Sequence, residues 1–230
     1  MIPLGAIRKS INFSFRILFH STHRKFLFRW LRSLQAGYLI RHKIPWITFP
    51  AHDYLESLQV TGKRVFEYGS GGSTLYWLKR GASVVSIEHN LEWYEFLKPV
   101  LPDGASIDYR LIAPEIIEGD QCLDPSFPDT YVSSDQRYIG YHFRRYVQII
   151  DTFPDQYFDI ILIDGRSRPS CIKHAISKVV PGGILIVDNA ERDYYYSHTM
   201  TYLQKSRRME FYGPGPCVHQ MWQTDIFVLY

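Results

Sequence analysis

Acid is what the opening of this chain lacks: residues 1 to 52 carry nine bases, Arg8, Lys9, Arg16, Arg24, Lys25, Arg29, Arg32, Arg41 and Lys43, and no Asp or Glu. The remainder holds seventeen bases against twenty-three acids, so a formal net charge of +3 over 230 residues hides a basic leader on an acidic body. Such an asymmetry expects an anionic contact, whether lipid, nucleic acid or an acidic partner. Cysteine is scarce as well. Cys122, Cys171 and Cys217 stand without paired spacing, which argues against a disulfide framework or a zinc site and for a reducing, cytoplasmic setting. No uninterrupted apolar run is long enough to cross a bilayer, and the amino terminus has no continuous apolar signal-peptide core, so a soluble or at most surface-attached protein is expected. Repeats and low-complexity tracts are absent too. With 46% hydrophobic and 21% charged residues, the chain can bury a substantial core, and disorder is not the default.

What is present centres on Val65-Phe66-Glu67-Tyr68-Gly69-Ser70-Gly71-Gly72-Ser73-Thr74. A short apolar run breaks into small residues and then takes helical spacing at Leu75 to Leu78, which reads as strand, tight turn, helix. Gly69 and Gly71 permit positive φ and close approach of a ligand to the main chain, and Ser73 or Thr74 can cap the helix. This is a nucleotide-type binding turn. Twenty-one residues after Glu67, Glu88 closes a second strand-like run, Ser83 to Ile87, where an acid can hold ribose hydroxyls.

The dinucleotide pattern G-x-G-x-x-G fails at its third glycine, because Thr74 stands there. Glu67, Gly69 and Gly71 instead resemble the acid-x-Gly-x-Gly motif of the Rossmann-like (class I) S-adenosylmethionine-dependent methyltransferases, with Ser73 where many members carry a further glycine. The resemblance covers roughly residues 60 to 230. It implies an α/β fold: a doubly wound, mostly parallel seven-stranded sheet with an antiparallel last strand. It also implies that S-adenosylmethionine is the cofactor, held by Glu67, Gly69, Ser70, Gly71, Ser73, Glu88 and Asp164. One departure is the third strand, which reads Tyr109-Arg110-Leu111 where the family often has an acid near the adenine.

Along the chain, residues 7 to 19 and 26 to 34 place apolar side chains near helical spacing and read as two basic amphipathic helices. Two readings stand for their apolar faces: packing on the domain or on a second copy in a homodimer, or lying on a membrane surface as a peripheral contact. Residues 1–59 are thus a leader and 60–230 the main domain. A helix is expected over roughly 51 to 59, then strand, helix (74 to 80), strand (83 to 88), helix (90 to 98) and a short strand near Ser106 to Leu111. This alternation argues a parallel sheet with helices on both faces. Residues 113–140 interrupt it with three prolines, six acids (Glu115, Glu118, Asp120, Asp124, Asp129, Asp135) and one base, Arg137. So long an insertion has two readings, a lid or substrate loop, or an idle surface insertion. Helical spacing resumes at Tyr141 to Asp151. Phe158 to Ile163 is a buried strand ending in Asp164. A helix over 169 to 180 follows, with Pro181-Gly182-Gly183 as its stop, then a strand at Ile184 to Val187 ending in Asp188-Asn189. A helix near 194 to 206 and strands at Met209 to Tyr212 and Thr224 to Tyr230 complete the expectation.

S-adenosylmethionine carries an activated methyl, so a protein that uses it must place a nucleophile and, for a hydroxyl, help remove a proton. Asp164 and Arg166 are the candidate catalytic residues. Asp164, Asp188 and Asn189 offer two carboxylates and an amide oxygen, a hard set suited to Mg²⁺ or Ca²⁺. They resemble the ligand positions of metal-dependent catechol-type O-methyltransferases, although those carry a lysine shortly after the first Asp, where this chain has Gly165-Arg166-Ser167-Arg168. The expected partner is a small hydroxylated acceptor that is O-methylated; the alternative is a noncatalytic Rossmann-like interaction module whose basic leader binds a membrane or a partner. Nucleic acid is disfavoured, because the Asn/Asp-Pro-Pro-aromatic motif of amino-directed nucleic-acid enzymes is missing after Ile163. Arg166 and Arg168 have two readings: a clamp on a carboxylate or phosphate, or pairing with the acidic insertion.

Overall fold

The computed structural model describes residues 4–119 and 123–230, so Asp120 and Cys122 of the insertion lie outside the described residues. Five parallel strands form the body of the sheet: β1 (Arg64–Tyr68), β2 (Ser83–Glu88), β3 (Ile107–Leu111), β6 (Phe158–Ile163) and β7 (Val179–Asp188). Two further strands close one edge, β8 (Ser206–Pro214) and β9 (Met221–Leu229), and a two-stranded hairpin, β4 (Glu115–Ile116) with β5 (Tyr141–His142), stands apart. The order across the sheet is β3-β2-β1-β6-β7-β9-β8, with β9 antiparallel to both of its neighbours. The doubly wound, mostly parallel seven-stranded sheet expected from the sequence is therefore present.

Alternation along the strands explains why the sheet is covered on both sides. Phe66, Tyr68, Ile161, Ile163, Leu185 and Val187 enter one core with Phe143 and Tyr146, whereas Val65, Ile160, Leu162, Ile184 and Ile186 enter the other with Trp77 and Leu55. The helices on these faces include α4 (Phe49–Glu56), α5 (Gly72–Lys79), α6 (Leu91–Leu97), α7 (Arg144–Gln148) and α8 (Arg168–Ala175). The strand order reverses between β1 and β6. Their carboxyl ends carry Gly69 and Asp164, at the crevice where ligands bind in open α/β sheets.

The leader forms α1 (Leu4–Leu18), α2 (Leu27–Ser33) and α3 (Tyr38–His42). One face of it packs on the body, because Phe13, Ile17, Phe26 and Trp30 make a small core with Phe49. The Trp30 indole N–H donates to the Val218 carbonyl (2.7 Å), and Ser10 and His219 side chains meet at 2.7 Å. Other leader apolar residues, among them Ile7, Ile11, Phe15, Phe19 and Phe28, stay exposed.

Three expectations need correction. Pro181-Gly182-Gly183 does not stop a helix but lies inside β7. The pairing jumps from Phe158↔Val179 to Ile160↔Ile184, so the three residues are accommodated as a bulge, with Gly182 at φ +76°. Helix α8 gives way after Ala175 to a 3₁₀ turn over Ile176–Lys178, short of residue 180. The segment 194–206 is not an α-helix: after a 3₁₀ turn at Asp193–Tyr195 it proceeds by successive turns. Aromatic, Ser and Thr residues dominate that stretch, and they lose rotamer freedom in a helix or compete for its backbone hydrogen bonds. Tyr195 and Tyr196 are both buried, and Tyr196 donates to Asp225 (2.6 Å).

Candidate active site

A cleft of about 630 Å³ lies over the reversal point. Its floor is the β1–α5 turn. Gly69 sits at φ +92°, and a Cβ there would lie 3.1 Å from the Asp164 carbonyl, so only glycine suits both the backbone angle and the neighbouring strand end. Gly72 opens α5, and a Cβ there would approach the Ile44 carbonyl to 2.1 Å. The turn is thus pinned between β6 and the end of the leader, which itself supplies Leu39, Ile40 and Trp46 to the cleft wall.

Two acids support this turn in different ways. Glu88, closing β2, accepts from the backbone N–H (3.1 Å) and hydroxyl (2.9 Å) of Ser70 on one oxygen, and from the N–H groups of His89 (2.8 Å) and Asn90 (2.9 Å) on the other. Burial alone would raise its pKa, but the His89 side chain and these backbone donors outweigh that and hold the carboxyl below its ordinary range. Glu67 is wholly inaccessible, at 0% exposure, and does not line the cleft. Thr74 and Ser86 (2.7 Å) donate to its Oε1, and Gly71 N–H donates to the Thr74 hydroxyl (2.9 Å), so Glu67 braces the turn from beneath. Its other oxygen has no hydrogen-bond partner among the described residues, and burial pushes its pKa up to about 7 against the pull of the Thr74, Ser86 and Ser73 hydroxyls. The expected caps also differ in role. Thr74 reaches back to Gly71, while Ser73 faces the cleft.

Gly69, Ser70, Gly71, Ser73, Glu88, Asp164, Arg166, Asp188 and Asn189 all line the cleft. Among the other lining residues, Trp93 and Arg192 were not singled out in the sequence. Trp93, on the first turn of α6, donates its indole N–H to the Ser70 carbonyl (2.9 Å). Tyr109 meets the Ser70 hydroxyl at 2.8 Å and stacks on Tyr94, so an aromatic group stands at the third-strand position where the family often has an acid. Asn90 caps α6 by accepting from Trp93 N–H (2.8 Å), a pattern of Asn three residues before an aromatic that was legible in principle.

The metal reading does not fit the residues. Ser167, at φ +51°, turns the chain so that α8 starts at Arg168, and the Arg168 side chain, 6% exposed, runs back to the strand ends. Its guanidinium donates to the Asp188 carbonyl, the Gly165 carbonyl (3.1 Å) and Oδ1 of Asp164 (2.9 Å). Oδ1 of the Asp188 carboxylate is taken by two donors, Trp222 (2.9 Å) and Thr224 (2.6 Å). A fixed organic cation therefore stands where the divalent ion was expected. Among the described residues, no group of three His, Cys, Asp or Glu side chains is arranged to hold a metal. Burial raises the pKa of both Asp164 and Asp188, with the nearby arginines pulling the other way.

Beside the cleft, and sharing Arg137, Gly165, Arg166, Arg168, Asn189 and Arg192 with it, a second chamber of about 490 Å³ is walled by the insertion and by the turns after β7. The 113–140 segment supplies Pro125, Val132 to Asp135 and Arg137 to this wall. Asp135 bonds to Arg137 (2.7 Å) and pairs with Arg166 (3.2 Å), and the Arg137 side chain chiefly holds its pKa down at about 2. Arg166 thus pairs with the acidic insertion, and Arg168 with Asp164.

No family model matches this chain, and no curated protein matches it. Solved structures do. The O-methyltransferase from Bacillus cereus in complex with SAH shares 13% identity at TM-score 0.51, over 100% of this chain and 93% of that one. A putative O-methyltransferase from Klebsiella pneumoniae shares 14% identity at TM-score 0.52, over 100% and 92%. At these identities the likeness is one of fold: the chain has the Rossmann-like class I methyltransferase fold.

Proposed function

We propose that the protein is an S-adenosylmethionine-dependent methyltransferase that methylates a hydroxyl oxygen of a small acceptor. The observation that carries this reading is the cleft itself: a glycine turn and a β2-terminal acid meet over the reversal point of a doubly wound sheet, opposite a strand-end Asp. When bound, S-adenosylmethionine supplies a methyl group already activated on a sulfonium. The turn at Gly69 to Ser73 holds the methionine part, with Trp93 as a wall, and Glu88 takes the ribose. Four protein donors already fill the Glu88 oxygens, and the Ser70 hydroxyl is the one free to leave, since Tyr109 offers it another partner. A ribose hydroxyl replaces it there. On the acceptor side, Asp164 takes the hydroxyl proton, a role its burial-raised pKa suits. Arg168 keeps that carboxylate oriented and supplies the local positive charge.

Calorimetric titration with S-adenosylmethionine and S-adenosylhomocysteine should show one site, and silence with both ligands would overturn the reading. With labelled S-adenosylmethionine and a pool of hydroxylated acceptors, transfer is expected to be indifferent to chelator and abolished in Asp164→Asn.

A further inference from the structure

Four arginines line the 490 Å³ chamber, Arg137, Arg166, Arg168 and Arg192, and among the described residues Asp135 is the one carboxylate that does. Asp135 offsets one charge of the Arg137/Arg166 pair, and Asp164, on the cleft side, offsets Arg168. Arg192 has no carboxylate partner among the described residues. It donates to the Tyr195 hydroxyl (3.0 Å) and lies over the same ring, with its neighbour Tyr194 held by Ser134 across the chamber (2.7 Å). The buried Nε of Arg166 likewise has no hydrogen-bond partner among the described residues. Ser133, Ser134 and Asn189 add neutral polar groups to the wall. A chamber so built has donors in excess and an uncompensated positive charge. Planar guanidinium forks match the two oxygens of a carboxylate or the edges of a phosphate.

We infer that the acceptor is anionic, its carboxylate or phosphate seated in this chamber on Arg192 and Arg166 while its hydroxyl reaches Asp164. The inference rests on the methyltransfer reading, and binding measured without turnover tests the two separately. The full chain is titrated with malonate and inorganic phosphate, with malonamide as the uncharged control, and in parallel with S-adenosylhomocysteine. Malonate or phosphate should bind and malonamide should not. Arg192→Met should weaken the anion about tenfold or more, and Arg192→Lys, which keeps the charge but not the fork, by less. Unfolding midpoints of both variants show that they fold. Anion binding without S-adenosylhomocysteine binding would remove the methyltransfer reading and leave the anion site standing. Absence of anion binding, or equal binding in Arg192→Met, would overturn the anionic acceptor whatever the cofactor does.

An independent observation concerns the leader. Ile7, Ile11, Phe15 and Leu18 follow helical spacing along the outer face of α1, opposite the packed Phe13 and Ile17, and Phe19 and Phe28 beyond it are 80% and 76% exposed. Arg8, Lys9, Arg16, Arg24 and Arg32 are exposed around them. Of the nine leader bases, only Lys25 and Arg29 pair with an acid, Asp53, among the described residues. An apolar stripe flanked by unpaired bases complements the interface of an anionic bilayer, and we propose that this face lies on one. The full chain should cosediment with vesicles of phosphatidylcholine and phosphatidylglycerol, less so as salt rises, and not with phosphatidylcholine alone. Phe15→Glu with Phe19→Glu should abolish sedimentation without moving the unfolding midpoint. Binding to both vesicle types alike, or to neither, would overturn the proposal, as would sedimentation velocity showing the face covered by a second copy.

Discussion

Glu67 and Arg168 are ionisable side chains with almost no solvent exposure, and each sets a measurable property. The folded protein holds the Glu67 proton up to about 7, whereas an unfolded chain releases it near the ordinary 4.5. Between those values the folded state binds more protons, so this group's contribution to stability is full below 4.5, falls as pH rises through the window, and stays lost above it. Glu67→Gln removes that titration. The variant should gain on the wild type steadily from pH 4.5 to 7 in urea midpoint and keep the gain at pH 8; a constant difference across the range would show that Glu67 does not titrate there. Arg168 acts in the opposite sense, since it compensates charge. Arg168→Met leaves the half-buried Asp164 carboxylate on the cleft wall without its cation and should cost about 1–3 kcal/mol at neutral pH. The cost should shrink at low pH, where Asp164 is protonated; a pH-independent loss would point to packing alone.

At the scale of elements, what was legible followed local rules. The β1–α5 turn declared itself through Gly69 and Gly71, and the alternating or continuous apolar runs of β1, β2 and β6 gave strands within a residue or two of those observed. The failures were tertiary. Pro181-Gly182-Gly183 has the composition of a stop, yet the β6 pairing on either side carries β7 through it. Tyr195, Tyr196, Thr199 and Leu203 are spaced like a helix face, but each is buried from a turn, with Tyr196 drawn to Asp225 two strands away. Nothing local says that Arg168 folds back to the strand ends, because that depends on the positive φ of Ser167 and on the Asp188 carbonyl at the end of the next strand. The leader was legible as helices, and packing on the domain was one of the two readings open for its apolar faces; which residues make that contact was not legible. Trp30, at 0% exposure, packs edge-on to Phe13 and bonds Val218. Trp30→Ala should therefore cost about 3–5 kcal/mol in urea unfolding with an unchanged m-value. A loss under about 1 kcal/mol would mean that α2 is an appendage.

For the whole molecule, the cleft gathers residues from Leu39 to Trp222, so one ligand touches the leader, the glycine turn, the β6 and β7 ends and β9. A ligand that binds only the folded chain stabilises all of these together. At a concentration about a hundred times its dissociation constant it adds about 2.7 kcal/mol. In a protein of this size that raises the unfolding midpoint by about 5–10 °C. S-adenosylhomocysteine should produce a shift of that order, growing with the logarithm of its concentration. Gly72 tests whether the leader and the turn belong to one site, since its missing Cβ is what lets Ile44 lie against the turn. Gly72→Ala must push the two apart. It should lower the ligand-free midpoint through overpacking of about 1–3 kcal/mol and also weaken the ligand-induced shift, because the floor and the wall of the cleft move relative to each other. A variant with a lowered midpoint but an undiminished shift would separate the fold's use of Gly72 from the cleft's.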